Sequence, residues 1–170
     1  MPDTRALVVF FSRTGNTRAV AEGVAEALHA DVEALSDRME RRGMWGYLRC
    51  SVEAALRRHA RLQPLTKDPG AYDLVVVGTP MWMGTLSSLV RAYLDSQRTR
   101  LPEVAFLLTH GGTPETRAFA EMAALAGKNP LATLAVREGE IVRGLHTAKI
   151  EQFVSVLRGA TEGSVQEEPC

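Results

Sequence analysis

Residues 12–17 of this chain read Ser-Arg-Thr-Gly-Asn-Thr, and four of them carry side chains able to give a hydrogen bond to an oxyanion: Ser12, Thr14, Asn16 and Thr17. Gly15 lets the backbone approach a ligand closely or take a positive φ. A helical pattern begins at once, with Val20, Val24 and Leu28 spaced for one face. The first N–H groups of such a helix lack intrahelical acceptors and carry partial positive charge, so an anion fits there without an obligatory cation. The chemistry these residues suit is the holding of a phosphate. The Gly-Lys-Ser/Thr ending of a nucleotide-binding P-loop is absent, and Gly15 alone does not make a Gly-x-Gly-x-x-Gly turn. A plain strand-to-helix turn would need one or two hydroxyls; this density of donors favours an anion site.

The elements that must position the loop follow from periodicity. Residues 7–11 are continuously apolar, as expected of a strand buried on both faces of a parallel sheet. The first helix ends near Ala30, and residues 31–35 form a short second strand. A third strand covers 73–78, a fourth 104–109 and a fifth 131–136. Between the third and fourth, Leu86, Leu89, Val90, Tyr93 and Leu94 mark a helix face. Thr113, Pro114 and Glu115 suit the N-cap, first position and first turn of the next helix, and Gly127 suits its end. Ile150, Phe153, Val154 and Leu157 line the last helix. Strands alternating with helices imply right-handed crossovers and a single doubly wound α/β sheet of five parallel strands. The domain spans residues 1–158, and the polar stretch 159–170 is expected to be a flexible tail.

The motif Ser-x-Thr-Gly-Asn-Thr after a first strand resembles the FMN phosphate loop of flavodoxins and flavodoxin-like oxidoreductases. The resemblance continues in two later segments and covers nearly the whole chain. It implies strand order 2-1-3-4-5, with FMN at the switch point between the first and third strands; flavodoxin is itself the standing example of that rule. It also implies that Ser12, Arg13, Thr14, Gly15, Asn16 and Thr17 take the phosphate. The segment Thr79, Pro80, Met81, Trp82, Met83, Gly84 and Thr85 resembles the second flavin loop, which wraps an edge and a face of the isoalloxazine ring. The resemblance implies that Trp82 supplies a flat surface, though it could equally be loop-anchoring core, that Met81 and Met83 adapt to a ring edge, and that the peptide near Gly84 reorients toward flavin N5. Thr109, His110, Gly111 and Gly112 match the third loop, whose glycines admit backbone N–H groups to the pyrimidine carbonyls. Many flavodoxins have an aromatic stacking residue there. Here only His110 is available, to stack, to bond to the ring, or to face solvent. No residue is assigned a catalytic role, and no metal site is expected.

Composition narrows the functional classes. Forty-five per cent of the 170 residues are hydrophobic, enough for one sizeable core. Twenty basic and twenty acidic residues give a formal charge of zero, so the overall field implies no nucleic-acid partner. The N-terminus carries no apolar signal segment, and a cytoplasmic location is expected. Cys50 and Cys170 make neither a disulfide framework nor a metal cluster and read as free thiols. Residues 37–61 hold seven arginines, from Arg38 to Arg61, against three acids, a net of +4. Met44, Leu48, Val52 and Leu56 recur every four residues through that stretch, which reads as the crossover helix between the second and third strands. Its arginines would make at most weak, salt-sensitive contact with an anionic surface.

The expected function is a flavodoxin-like FMN redox protein that passes electrons to a partner protein or a small acceptor. The alternative is an NAD(P)H-dependent FMN reductase of quinones or similar acceptors, favoured by the neutral charge and the missing third-loop aromatic. The absence of a nicotinamide fingerprint opposes it.

Overall fold

The computed structural model describes residues 4–36, 62–82 and 84–164. The basic stretch 37–61 and the expectations placed on it lie outside these residues, as do Met83, Cys50 and Cys170.

In chain order the elements are β1 (Ala6–Phe10), α1 (Asn16–Leu28), β2 (Asp31–Ala34), a short 3-10 turn (Pro69–Ala71), β3 (Leu74–Trp82), β4 (Thr85–Leu86) and α2 (Ser88–Gln97). Then come β5 (Glu103–His110), α3 (Thr116–Ala126), β6 (Thr133–Arg137), α4 (Glu138–Val142) and α5 (His146–Ser164). The five long strands are parallel and lie in the order β2-β1-β3-β5-β6, which is 2-1-3-4-5 when only parallel strands are counted. The addition is β4, a two-residue strand that turns back antiparallel on the end of β3, pairing Met81 with Leu86 and Trp82 with Thr85.

Alternate residues of the central strands feed two apolar layers, as a two-sided sheet requires. Leu7, Val9, Val75, Val77, Phe106 and Leu108 face α2 and α3, where they meet Leu89, Val90, Tyr93 and Met122. Val8, Phe10, Val76, Ala105 and Leu107 face α1 and α5, where they meet Val20, Val24, Phe153 and Leu157. Gly78 sits where β1 and β5 close on β3. A Cβ there would come within 3.0 Å of Phe10 Cβ and 3.1 Å of Leu107 Cγ, so a side chain has no room.

Three departures from the sequence-based expectation have a local reason. β3 does not stop at Gly78 but runs on through Pro80 to Trp82, because Thr79 and Pro80 still pair with Leu108 and Thr109 of β5. Leu86 belongs to β4, not to the following helix. That helix starts at Ser88, with the Ser87 hydroxyl accepting the Val90 N–H at 3.2 Å. The third helix starts at Thr116 with Glu115 at its N-cap, so Thr113 and Pro114 stay in the loop. The last helix, α5, continues to Ser164, and residues 165–170 lie outside the described residues. Gly127 does end α3, with φ +68° and its N–H on the Ala123 carbonyl.

Candidate functional site

β1, β3 and β5 are neighbours in the sheet, so the loops that leave their C-terminal ends gather at one edge. This is the crevice position that parallel α/β sheets use for ligands. The first loop, residues 11–15, delivers the chain to α1. Gly15 is the N-cap at φ +98°, a conformation that other residues rarely adopt, and nothing lies within 4 Å of the place a Cβ would occupy. Its carbonyl accepts the Ala19 N–H at 2.9 Å, which starts the helical ladder. No side chain caps the helix and its first turn holds no acid, so the amides of Asn16, Thr17 and Arg18 face the loop with neither an intrahelical acceptor nor a competing carboxylate.

The side chains of this loop divide into two groups. Thr14 is exposed and Ser12, Arg13 and Asn16 are half-buried, accessible to a ligand. The Ser12 hydroxyl accepts the Gly15 N–H at 3.2 Å, which shapes the turn and leaves its own hydrogen to give. Thr17 departs from the expectation of a simple phosphate donor. It is 1% exposed, and its Oγ1 lies 2.7 Å from Oγ1 of Thr109, itself buried at the end of β5. Whichever hydroxyl donates, only one of the two hydrogens is used.

The second loop is more committed to its own structure than the sequence suggested. Thr79 is fully buried; its hydroxyl donates to the Pro80 carbonyl at 3.0 Å and accepts the Ser87 N–H at 3.3 Å, so it holds the turn together. Met81 is buried beside Leu86 across the β3–β4 pair. Trp82 is half-buried and meets Phe11 edge-on, with ring centroids 6.0 Å apart at 82°. Gly84 turns the chain at φ +74°.

In the third loop Gly111 and Gly112 are exposed with open space around them, and Gly112 has φ +128°. His110 does not face solvent: it is 5% exposed, and its Nδ1 has no protein partner. Pro80 pairs with Thr109 in the β3–β5 ladder, so the second and third loops are joined at their base. Phe11–Trp82 joins the first loop to the second, and Thr17–Thr109 joins the first helix to the third strand of the crevice.

Sequence reasoning missed the support beneath these loops. Arg91 on α2 is 2% exposed and binds Glu121 on α3 through Nε at 3.0 Å and Nη2 at 2.7 Å, both to Oε1. Nη2 also donates to Thr85 Oγ1 at 2.7 Å, and that hydroxyl donates to Glu121 Oε2 at 3.2 Å. The available signal was an arginine inside the apolar run of α2, between Val90 and Ala92. Among the described residues no cluster of His, Cys, Asp and Glu could hold a metal, and no helix is long and apolar enough to cross a membrane. An open depression of ≈ 630 Å³, lined by Leu62, Leu65, Ala92, Gln97 and Arg100 among others, lies apart from the three loops.

A doubly wound parallel sheet with a glycine-led helix at its switch point defines an open α/β protein with a crevice at the carboxyl ends of its strands. Residues 5–155 match the flavodoxin family model, and the chain belongs to the flavodoxin family. A NAD(P)H dehydrogenase (quinone) from Cupriavidus metallidurans is 31% identical over 104 residues; the match takes in 54% of this chain and 46% of that protein, so the chain spans about half the length of this relative. Among solved structures, a flavoprotein from Lactobacillus acidophilus in complex with FMN superposes with TM-score 0.68 at 19% identity, over 83% of this chain and 98% of that one. The two-electron reduced flavodoxin of Megasphaera elsdenii superposes with TM-score 0.56 at 19% identity, over 89% and 98%.

Proposed function

We propose that the protein binds FMN in the crevice formed by residues 12–17, 79–85 and 109–112 and passes electrons through it to a redox partner or a small acceptor. The observation that carries this reading is the meeting of three donor- and glycine-rich loops at the ends of adjacent strands, around an uncapped helix N-terminus. The residues present fit the cofactor. A dianionic phosphate finds the amides of Asn16, Thr17 and Arg18, the hydroxyls of Ser12 and Thr14, and the Asn16 amide group. The glycines at 15, 111 and 112 leave backbone open where a ligand must come close. When bound, FMN supplies the reversible uptake and release of electrons; the protein supplies binding, orientation and electrostatics.

The roles of the chain follow from its geometry. Phe11, Met81 and Trp82 belong to one apolar cluster and would exclude water from the side of a bound ring that met it. The second loop turns at Gly84, where a glycine backbone leaves room for a ring edge. The third loop presents the N–H groups of two exposed glycines, suited to stabilising negative charge on an adjacent heterocycle. The buried His110 offers a ring nitrogen at the end of β5. The Cupriavidus relative is described as acting on NAD(P)H and quinone, which keeps an NAD(P)H-dependent quinone reductase as the alternative on the same site.

Titration of the FMN-free protein with FMN and with riboflavin tests the site. Saturable quenching by FMN and much weaker binding of riboflavin are expected, and failure to bind FMN at high concentration overturns the reading. Steady NADPH oxidation by the purified holoprotein with a quinone selects the reductase; reduction only through a partner enzyme selects the carrier.

A further inference from the structure

Arg91 and Glu121 lie 30 positions apart, on different helices, and form an ion pair whose guanidinium is buried, whose carboxylate is 17% exposed and whose third corner is Thr85. The arrangement is not explained by stability. Taking a guanidinium and a carboxylate out of water is costly, and well-packed apolar replacements of such pairs are often neutral or stabilising. Arg91 nevertheless points its charge into the interior from the middle of α2, with only 3% of its side chain exposed, and one of its nitrogens, Nη1, has no protein partner. What the pair does hold is a specific place in the fold. Thr85 is the first residue of β4, directly after the turn at Gly84. Glu121 lies on α3, the helix that the third loop leads into. The two loops are joined at their base, where Pro80 pairs with Thr109 as the last pair of the β3–β5 ladder.

We propose that Arg91, Glu121 and Thr85 form a positioning clamp that fixes the second loop against the helix leaving the third, and so sets the width of the crevice that receives the flavin ring. The proposal rests on the FMN reading above and adds the residues that regulate how the ring is held. A guanidinium is suited to this task because its donors have fixed geometry; here Nε and Nη2 converge on Oε1 of Glu121 while Nη2 also holds the Thr85 hydroxyl. None of the three groups need touch the ring, so they are positioning residues. Apolar packing would hold α2 against α3 but would leave β4 bonded to β3 alone, with no directional bond to either helix. Loss of the clamp therefore changes the spacing of the loops more than it changes the fold.

The test compares wild type with the double variant Arg91→Met, Glu121→Met, which keeps the volume and removes both charges together. The variant is expected to melt cooperatively in its FMN-free form, to bind FMN about tenfold more weakly, a change of ~1.4 kcal/mol, and to alter both the visible circular dichroism and the midpoint potential of the bound flavin. A purely structural pair would leave the dichroism and the potential of the bound flavin where they were. Wild-type affinity, dichroism and potential in the double variant would overturn the clamp while leaving the FMN site standing. Failure of the wild-type protein to bind FMN would overturn both. Should the double variant not fold, Thr85→Val removes only the hydroxyl corner and is read by the same three measurements.

Discussion

Replacing Thr17 by valine removes one hydroxyl from a pair that is sealed from solvent. Thr17 and Thr109 are 1% and 2% exposed, and their oxygens are 2.7 Å apart. Valine has the shape of threonine and nearly the same helix propensity, and in a strand valine is at least as well suited, so neither change disturbs the backbone. Each single variant leaves the surviving hydroxyl buried without its partner, a cost of about 1–3 kcal/mol. The double variant removes both polar groups and leaves two matched methyl surfaces, which brings the cost back toward zero. The coupling between the two positions is then at least about 1 kcal/mol. Urea unfolding of the FMN-free protein reads it directly: with a slope of about 2 kcal/mol/M, a loss of ~2 kcal/mol moves the midpoint by roughly 1 M. FMN must be absent, because a ligand that binds only the folded state would add its own stabilisation. Costs that add in the double variant would refute the hydroxyl pair, as would single variants with wild-type midpoints.

Thr14→Val acts on an exposed side chain, so the FMN-free midpoint should stay within about 0.5 kcal/mol of wild type, while FMN affinity falls by about 1–3 kcal/mol; unchanged affinity by fluorescence titration shows that Thr14 does not meet the phosphate. Trp82→Ala should weaken FMN binding and raise the emission of the bound flavin, and equal emission in both forms would remove Trp82 from the ring's surroundings. Gly15→Ala meets no atom but forces alanine to φ +98°, at a cost of about 1–3 kcal/mol; a rise in the FMN-free melting midpoint would contradict that backbone geometry. The Tyr72 hydroxyl donates to Asp31 at 2.7 Å and, with Lys67, holds the Asp31 carboxyl below its ordinary 3.8, while the same bond to Asp31 pushes the Tyr72 phenol above its ordinary 10.0. The Asp31 contribution is therefore present above pH 3.8 and lost as pH falls through the depressed value, and the Tyr72 contribution is present below pH 10.0 and lost as pH rises through the raised one. Tyr72→Phe should flatten both edges of a stability–pH profile relative to wild type, and superimposable profiles would count against the bond.

The parts of this fold that could be read from the sequence are those set by local rules. Strands buried on both faces are continuously apolar, so 7–11 and 74–77 declared themselves, and the donor-rich loop before α1 was visible because its chemistry lies within six residues. Boundaries failed where a tertiary partner overrode a local signal. Pro80 reads as a strand breaker, yet its missing N–H is tolerated in a ladder that continues to Trp82. Leu86 fits a helical spacing, but pairing with Met81 draws it into β4. Contacts between distant residues were not legible at all. Thr17 and Thr109 are 92 positions apart, and Arg91 meets Glu121 only because α2 and α3 pack on the same face of the sheet. The commitment of the Thr79 hydroxyl to its own turn likewise depends on Ser87 returning through β4.

The direct ties among the three loops carry an engineering consequence. The Phe11–Trp82 edge, the Thr17–Thr109 hydroxyl bond and the Pro80–Thr109 pair make them a closed ring of dependencies, so lengthening any one strains the other two. Changes in length are best absorbed at the opposite rim of the sheet, in the turn between α3 and β6 around Lys128 and Asn129, which shares no bond with the crevice. A peptide tag inserted there should leave cofactor capture intact, whereas the same tag at Gly111 should abolish it.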